Sequence, residues 1–167
     1  ALPLGILAAI RAGSWIDHGV RVLATAGVSL PTFFTGLFLV YILYFQLDIA
    51  PAPTGRLDIL YSAPQPVTGF YLIDSLLQGD LKLFWASLTP LLLPAITLGL
   101  FALAPLARVT RASMLGVLSS DFIRTARASG LPPSQVLFGY AFRNAMLPVV
   151  TMFGVVFSFL LGANILV

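Results

Sequence analysis

The sequence has no cysteine, which excludes disulfides and thiolate metal sites. Its one histidine, His18, leaves little for a histidine-based metal centre. Only 9% of its 167 residues are charged, against about 25% in an ordinary soluble domain. The single lysine is Lys82, and no G-x-x-x-x-G-K-[ST] stretch occurs, so the chain has no phosphate-cradling loop for ATP. A net charge of +3 on so apolar a chain does not suggest nucleic-acid binding. No metal, cofactor or catalytic residue is expected. Ser29 and His18 are too far apart in setting to make a hydrolase.

What fills the sequence instead is hydrocarbon. Hydrophobic residues make up 59% of the chain, and the mean hydropathy is +0.99. Three runs carry no charge: Val22 to Leu47 (26 residues), Leu83 to Ala107 (25) and Asn144 to Val167 (24). About 20 apolar residues cross a bilayer as a helix. The runs lack the alternation of barrel strands. Ala1 to Ile10 is apolar but short, and reads as the end of a truncated further helix rather than a signal peptide. The expectation is an all-α, polytopic transmembrane helix bundle with about four membrane segments, a piece of a larger membrane protein. Pro31, Pro90, Pro94, Pro105 and Pro148 fall in these runs, where proline kinks a helix. Ser29, Thr35, Thr97 and Asn164 are candidates for a translocation path, although small polar residues also serve helix packing.

Charge divides the loops. Arg11, Arg21, Arg108, Arg111, Arg124, Arg127 and Arg143, set against Asp17 and Asp121, leave one side at +5. Arg56 and Lys82, set against Asp48, Asp58, Asp74 and Asp80, leave the other at −2. Basic loops stay in the cytoplasm, so residues 108–143 are expected inside and the proline-rich 48–82 outside. Asp17 and Arg21 are spaced to pair on a helix face. Phe70, Ile73, Leu76 and Leu77 suggest a short amphipathic helix in the outer loop. On the inner side, "SSDFIRTARASG" reads as a short helix with Ser119 or Ser120 as cap and Gly130 as stop. "LPPSQVLFGYAFRN" restarts at Pro132–Pro133, with Val136, Tyr140 and Phe142, or Leu137 and Ala141, at helical spacing. Such a surface docks against a protein or lies on anionic lipid, and the residues alone favour neither.

The stretch "RVTRASMLGVLSSDFIRTARASGLPPSQVLFGYAFRNAMLPVV" resembles the cytoplasmic loop of the dipeptide/oligopeptide/nickel-type permeases of ABC importers. "PLGILAAIRAGSWIDHGVRVLATAGVSLPTFF", "APAPTGR" and "LLLPAITLGL" are similar to the same family, so the likeness runs along nearly the whole chain. Arg124-Thr125-Ala126 stands in the first place of the superfamily's Glu-Ala-Ala loop motif, Gly130 at its glycine, and Tyr140, Phe142 and Arg143 in the last place. The motif's Glu and Pro are absent.

The resemblance implies a type I importer permease domain over 1–167, multi-pass in a bacterial inner membrane. It would be a transport subunit and not an enzyme. Arg124, Ala126, Gly130, Val136, Leu137 and Tyr140 would belong to a coupling helix that docks on an ATPase. The implied partners are a homologous permease subunit, two cytoplasmic ATP-binding subunits, an external substrate-binding protein and the lipid bilayer. The implied cargo is a short peptide, or a related small solute such as nickel. An ion-coupled secondary transporter is the alternative. Such carriers usually keep ionisable groups within the bilayer, and the three long runs have none.

The charge split yields a test. In a cysteine-free full-length protein, Ser62→Cys should react with an impermeant thiol reagent on intact cells, and Ser134→Cys should not. The reverse pattern would invert the topology.

Overall fold

The computed structural model describes residues 1–53, 55–57 and 60–163. Seven α-helices account for most of them: α1 Leu2–Ile10, α2 Trp15–Ser29, α3 Thr32–Val40, α4 Tyr71–Leu77, α5 Leu81–Leu118, α6 Asp121–Ala128 and α7 Arg143–Ala163. Two wider π-helical stretches join them, Tyr41–Gln46 continuing α3 and Gln135–Phe142 leading into α7. No strand occurs among the described residues. The all-helical membrane architecture is as expected. Its continuity differs. Among the described residues, two helices are by themselves long and apolar enough to cross a membrane, Leu81–Leu118 and Gln135–Gly162. The run from Val22 to Leu47 is broken, and α1 has only nine residues.

The break has a local cause. Proline disfavours the helical region for the residue before it. Leu30 is accordingly extended (φ −111°, ψ 142°), and Pro31 becomes the N-cap of α3. Pro31 thus ends one helix and starts another instead of kinking a single one. Pro90, Pro94 and Pro105 lie inside the 38 residues of α5 without ending it. At 1.5 Å per residue α5 is about 57 Å long, well beyond the ~30 Å of a hydrocarbon core. Its last turns, with Arg108 and Arg111, therefore have length to spare outside the apolar stretch.

The chain forms two compact units, Pro31–Gly99 being one and Ala1–Leu30 with the chain from Leu100 onward the other. In the first, the outer-loop helix expected from Phe70, Ile73, Leu76 and Leu77 is α4, and all four side chains are exposed. Asp74 anchors the turn ahead of it. Its carboxylate accepts from the Thr68 amide (2.7 Å), the Thr68 hydroxyl (2.7 Å) and the Gly69 amide (3.1 Å). Burial alone would raise the pKa of this carboxyl, but these donors outweigh it and hold the group below the usual carboxylate value.

The second unit is built on small residues. On α1, Gly5, Ala8 and Ala9 are buried. A Cβ on Gly5 would lie 2.6 Å from Thr110 Cβ and 2.8 Å from the Ala107 carbonyl. On α2, Val20 and Ala24 are buried, and a Cβ on Gly27 would lie 3.1 Å from the Leu100 carbonyl. Ala104 and Ala107 of α5 are fully buried. Small side chains let helix backbones approach closely and gain dispersion contacts where lipid offers no hydrophobic drive.

One charge pair sits in this packing. Asp17 is buried and accepts from Arg111 Nε (2.5 Å), Arg111 Nη2 (2.7 Å) and the Gly13 amide (2.9 Å). The expected partner, Arg21, is 3.8 Å away and half exposed. The i,i+4 pairing is thus secondary to a bidentate bridge across 94 residues of sequence. Ser14 caps α2, its hydroxyl accepting from the Asp17 amide at 3.4 Å.

Gly5→Leu should prevent the α1–α5 approach, and Gly5→Ala should cost about 1–3 kcal/mol through overpacking. Thermal unfolding in detergent of the full-length protein checks this. Unchanged stability of both variants would show that the approach is looser.

Candidate functional site

The basic insert forms a helical corner with a buried apolar face and an exposed face that carries arginines and aromatics. The Ser119 or Ser120 cap resolves to Ser120, whose extended backbone precedes Asp121. Its hydroxyl does not cap α6; it donates back to the Val117 carbonyl at 2.6 Å. Ile123 and Ala126, three apart, are the buried residues of α6. Phe122, Arg124 and Arg127 lie on its exposed sides. Arg124 donates to Asp121 at 3.2 Å, with both side chains mostly in solvent. An exposed pair of this kind contributes little to stability.

Gly130 ends α6 as expected. Its φ is +75°, a region where a side chain is disfavoured. Its amide donates to the Arg127 carbonyl at 3.0 Å, and the Leu131 amide donates to Ala126 at 3.4 Å. Those two bonds make a Schellman motif. Leu131 packs against the same core that holds Ala126, the contact that usually accompanies the motif.

The following helix differs from expectation in two ways. It is not a separate short element but runs into α7 as one span, Gln135–Gly162. Its first eight residues are π-helical, bonded i→i+5 rather than i→i+4. The wider turn resets the inward face. Val136 and Ala141 are buried five residues apart, and Ala145 and Val149 follow at steps of four. Tyr140, grouped with Val136 at α-helical spacing, is exposed instead. The Asn144 side chain donates to the Tyr140 carbonyl at 2.7 Å.

The six residues assigned to coupling therefore divide. Arg124, Gly130 and Tyr140 are exposed. Ala126 and Val136 are core residues, with Ile123, Met114, Ala9, Ala141 and Ala145, and Leu137 packs against that core. The buried pair can support a docking surface but cannot be one. Sequence reasoning missed the exposed aromatics Phe122 and Phe138. The signal for Phe122 was present, since it lies off the Ile123–Ala126 face. Phe138 was hidden by the π turn. A cleft of about 430 Å³ opens at the corner among Ile10, Leu118, Arg127, Leu131, Pro133 and Leu137.

The described path candidates are divided between the two units. Ser29 belongs to one compact unit, Thr35 and Thr97 to the other. Thr97 is buried and lies beside Gly36. Ser29, Thr35 and Thr97 each donate to the carbonyl four residues earlier, at 2.7, 3.3 and 2.9 Å. Their donors are thus satisfied within their own helices. Asn164 lies outside the described residues. No group of three or more metal-ligating side chains is found among the described residues.

The family described as binding-protein-dependent transport system inner membrane component matches residues 1–167. The chain is 46% identical over 165 residues to a di/tripeptide transport system permease protein of Pseudomonas aeruginosa, covering 99% of this chain and 48% of that protein. It is 45% identical over 165 residues to a probable D,D-dipeptide transport system permease protein of Escherichia coli, with the same coverage. To an oligopeptide transport system permease protein of Bacillus subtilis it is 35% identical over 167 residues, 100% of this chain and 46% of that one. The chain spans about half the length of these relatives.

The corner predicts unequal costs. Gly130→Ala should lose about 1 kcal/mol from the left-handed backbone alone, because nothing lies within 4 Å of the added Cβ. Val136→Asp puts a charge into the core and should lose about 3 kcal/mol or more. Denaturation of the two variants measures the gap, and equal losses would contradict the burial pattern.

Proposed function

The chain belongs to the family of binding-protein-dependent transport system inner membrane components, and on that premise we propose that it is part of a permease subunit of an ATP-driven importer of short peptides. The observation that carries this reading is the match of the whole chain to peptide-permease proteins. The relatives compared are named for di/tripeptides, D,D-dipeptides and oligopeptides, which favours a peptide cargo over nickel. The subunit would lie multi-pass in a bacterial inner membrane, pair with a homologous permease, and receive cargo from an external binding protein. Two cytoplasmic ATP-binding subunits would supply the energy.

The helical corner is the proposed docking element for those ATPases. Its support is geometric. A Schellman turn fixes the direction change at Gly130, and a core built on Ile123, Ala126 and Val136 keeps the corner rigid. That leaves Phe122, Arg124, Arg127, Phe138 and Tyr140 outward. Aromatic and arginine side chains are the residue types that dominate protein interfaces. A purely lipid-lying corner would use arginines and aromatics alike for membrane contact, so changes at either would spare ATPase capture.

Phe138→Ala and Arg124→Glu in the full-length protein, co-expressed with its partners, should each reduce ATPase capture and lower labelled-dipeptide uptake about tenfold or more. Gln135→Ala should leave both unchanged. Full ATPase capture with normal uptake in both variants would overturn the docking role.

A further inference from the structure

We infer that Asp17 and Arg111 are positioning residues that lock the start of α2 to α5, so that movement of the basic corner is delivered to α2. The inference rests on the proposed function in one respect only: the corner is taken as the place where ATPase motion enters.

The argument begins with the seam between α2 and α5. Asp17, Val20, Ala24 and Gly27 recur at steps of three and four and so share one face of α2. Asp17 bonds Arg111, Val20 belongs to the cluster of Ala107, and Gly27 approaches the Leu100 carbonyl. As numbers rise on α2 they fall on α5, so the helices run antiparallel. Most of this seam is small and apolar. Such contacts are tight but unspecific, and one helix can slide or roll on another when pushed.

The charge pair removes that freedom. A guanidinium fork meets a carboxylate in one plane with two parallel bonds. Here the Nε and Nη2 bonds are 2.5 and 2.7 Å, and the Gly13 amide occupies the same carboxylate from the α1–α2 turn. A shift of α2 along α5 by one residue would break both Arg111 bonds and leave Asp17, only 1% exposed, without its charge partner. Buried ion pairs are poor net stabilisers, and their best-attested use is to fix register. Arg21, at 3.8 Å and half exposed, belongs to α2 itself, so its pairing with Asp17 does not cross to another helix.

Arg111 is also well placed to pass motion on. Met114, three residues further along α5, is fully buried in the core that holds Ile123, Ala126 and Val136. Ala9 of α1 belongs to that core, and Ala8 belongs to the cluster of Val20 and Ala107. The corner therefore grips the end of α5 through Met114, and α5 grips α2 through Arg111. Without the pair, α5 could follow the corner while α2 lagged.

The absence of cysteine from this chain suits a distance measurement. Val22→Cys on α2 and Ser129→Cys at the corner, both exposed, would carry spin labels in a cysteine-free full-length permease, alone and assembled with its partners. Without nucleotide, the parent should give one narrow distance. Asp17→Asn and Arg111→Lys, the latter keeping charge but losing the fork, should broaden it.

In the assembled importer, the parent distance should be the same before and after nucleotide trapping, and should change in Asp17→Asn. Peptide moved per ATP hydrolysed should fall about tenfold while ATPase capture persists. Asp17→Leu with Arg111→Met removes both charges without leaving one buried alone. It should remain monodisperse and still transport poorly. Narrow distances in Asp17→Asn and Arg111→Lys, or normal transport by the double variant, would overturn the lock. A parent that captures no ATPase would instead refute the proposed function and leave the nucleotide-free result standing.

Discussion

A backbone placed in hydrocarbon has to satisfy its own hydrogen bonds, because no water is there to help. Most local choices in this chain follow from that. The long apolar runs become helices and not strands. Serine and threonine hydroxyls within them turn back onto their own helix, as in Ser87 to Leu83, Thr151 to Leu147 and Ser158 to Gly154. No buried side-chain N or O among the described residues is left without a partner. Prolines are accepted inside α5 and α7. Only Pro31, with Leu30 extended before it, marks a true break.

With hydrogen bonds closed inside each helix, association falls to shape and to a few charges. Gly5, Ala8 and Ala9 let α1 reach α5, where Ala107 and Thr110 receive it. Asp17 and Arg111 add direction to an otherwise featureless seam. The corner that follows is a different kind of structure. Its buried side is apolar, its turn is fixed by a glycine, and its outer side carries arginines and aromatics. The first arrangement suits a body held by lipid, and the second is the one proposed to meet a protein partner.

Much of this could be read in advance because it depends on short-range rules. Apolar length gave the helical class. Gly130 gave the end of α6, since left-handed turns are local chemistry, and Ser120 marks its start by backbone position although its hydroxyl bonds Val117 instead. What escaped depended on distance or on small backbone energies. The Asp17–Arg111 bridge spans 94 residues, and a local rule offered Arg21 first. The π stretch before Arg143 has no distinctive composition, so Val136 and Tyr140 looked alike while one is buried and the other exposed. Ala126 and Val136 were assigned to a docking surface from their place in the loop motif, although both lie in the core.

The π-helical stretch Gln135–Phe142 amounts to one residue more than an α-helix of the same length would hold. It works as an angular spacer between the corner and the last helix. Loss of any single residue from it would let α-helical spacing return. Everything ahead of it would then swing roughly 100° about the helix axis. Composition, hydropathy and the number of helices would be almost unchanged, yet Val136 would leave the Ala141–Ala145 line and the outward aromatics would face elsewhere. The length of this segment is therefore under a stricter constraint than the identity of most of its residues.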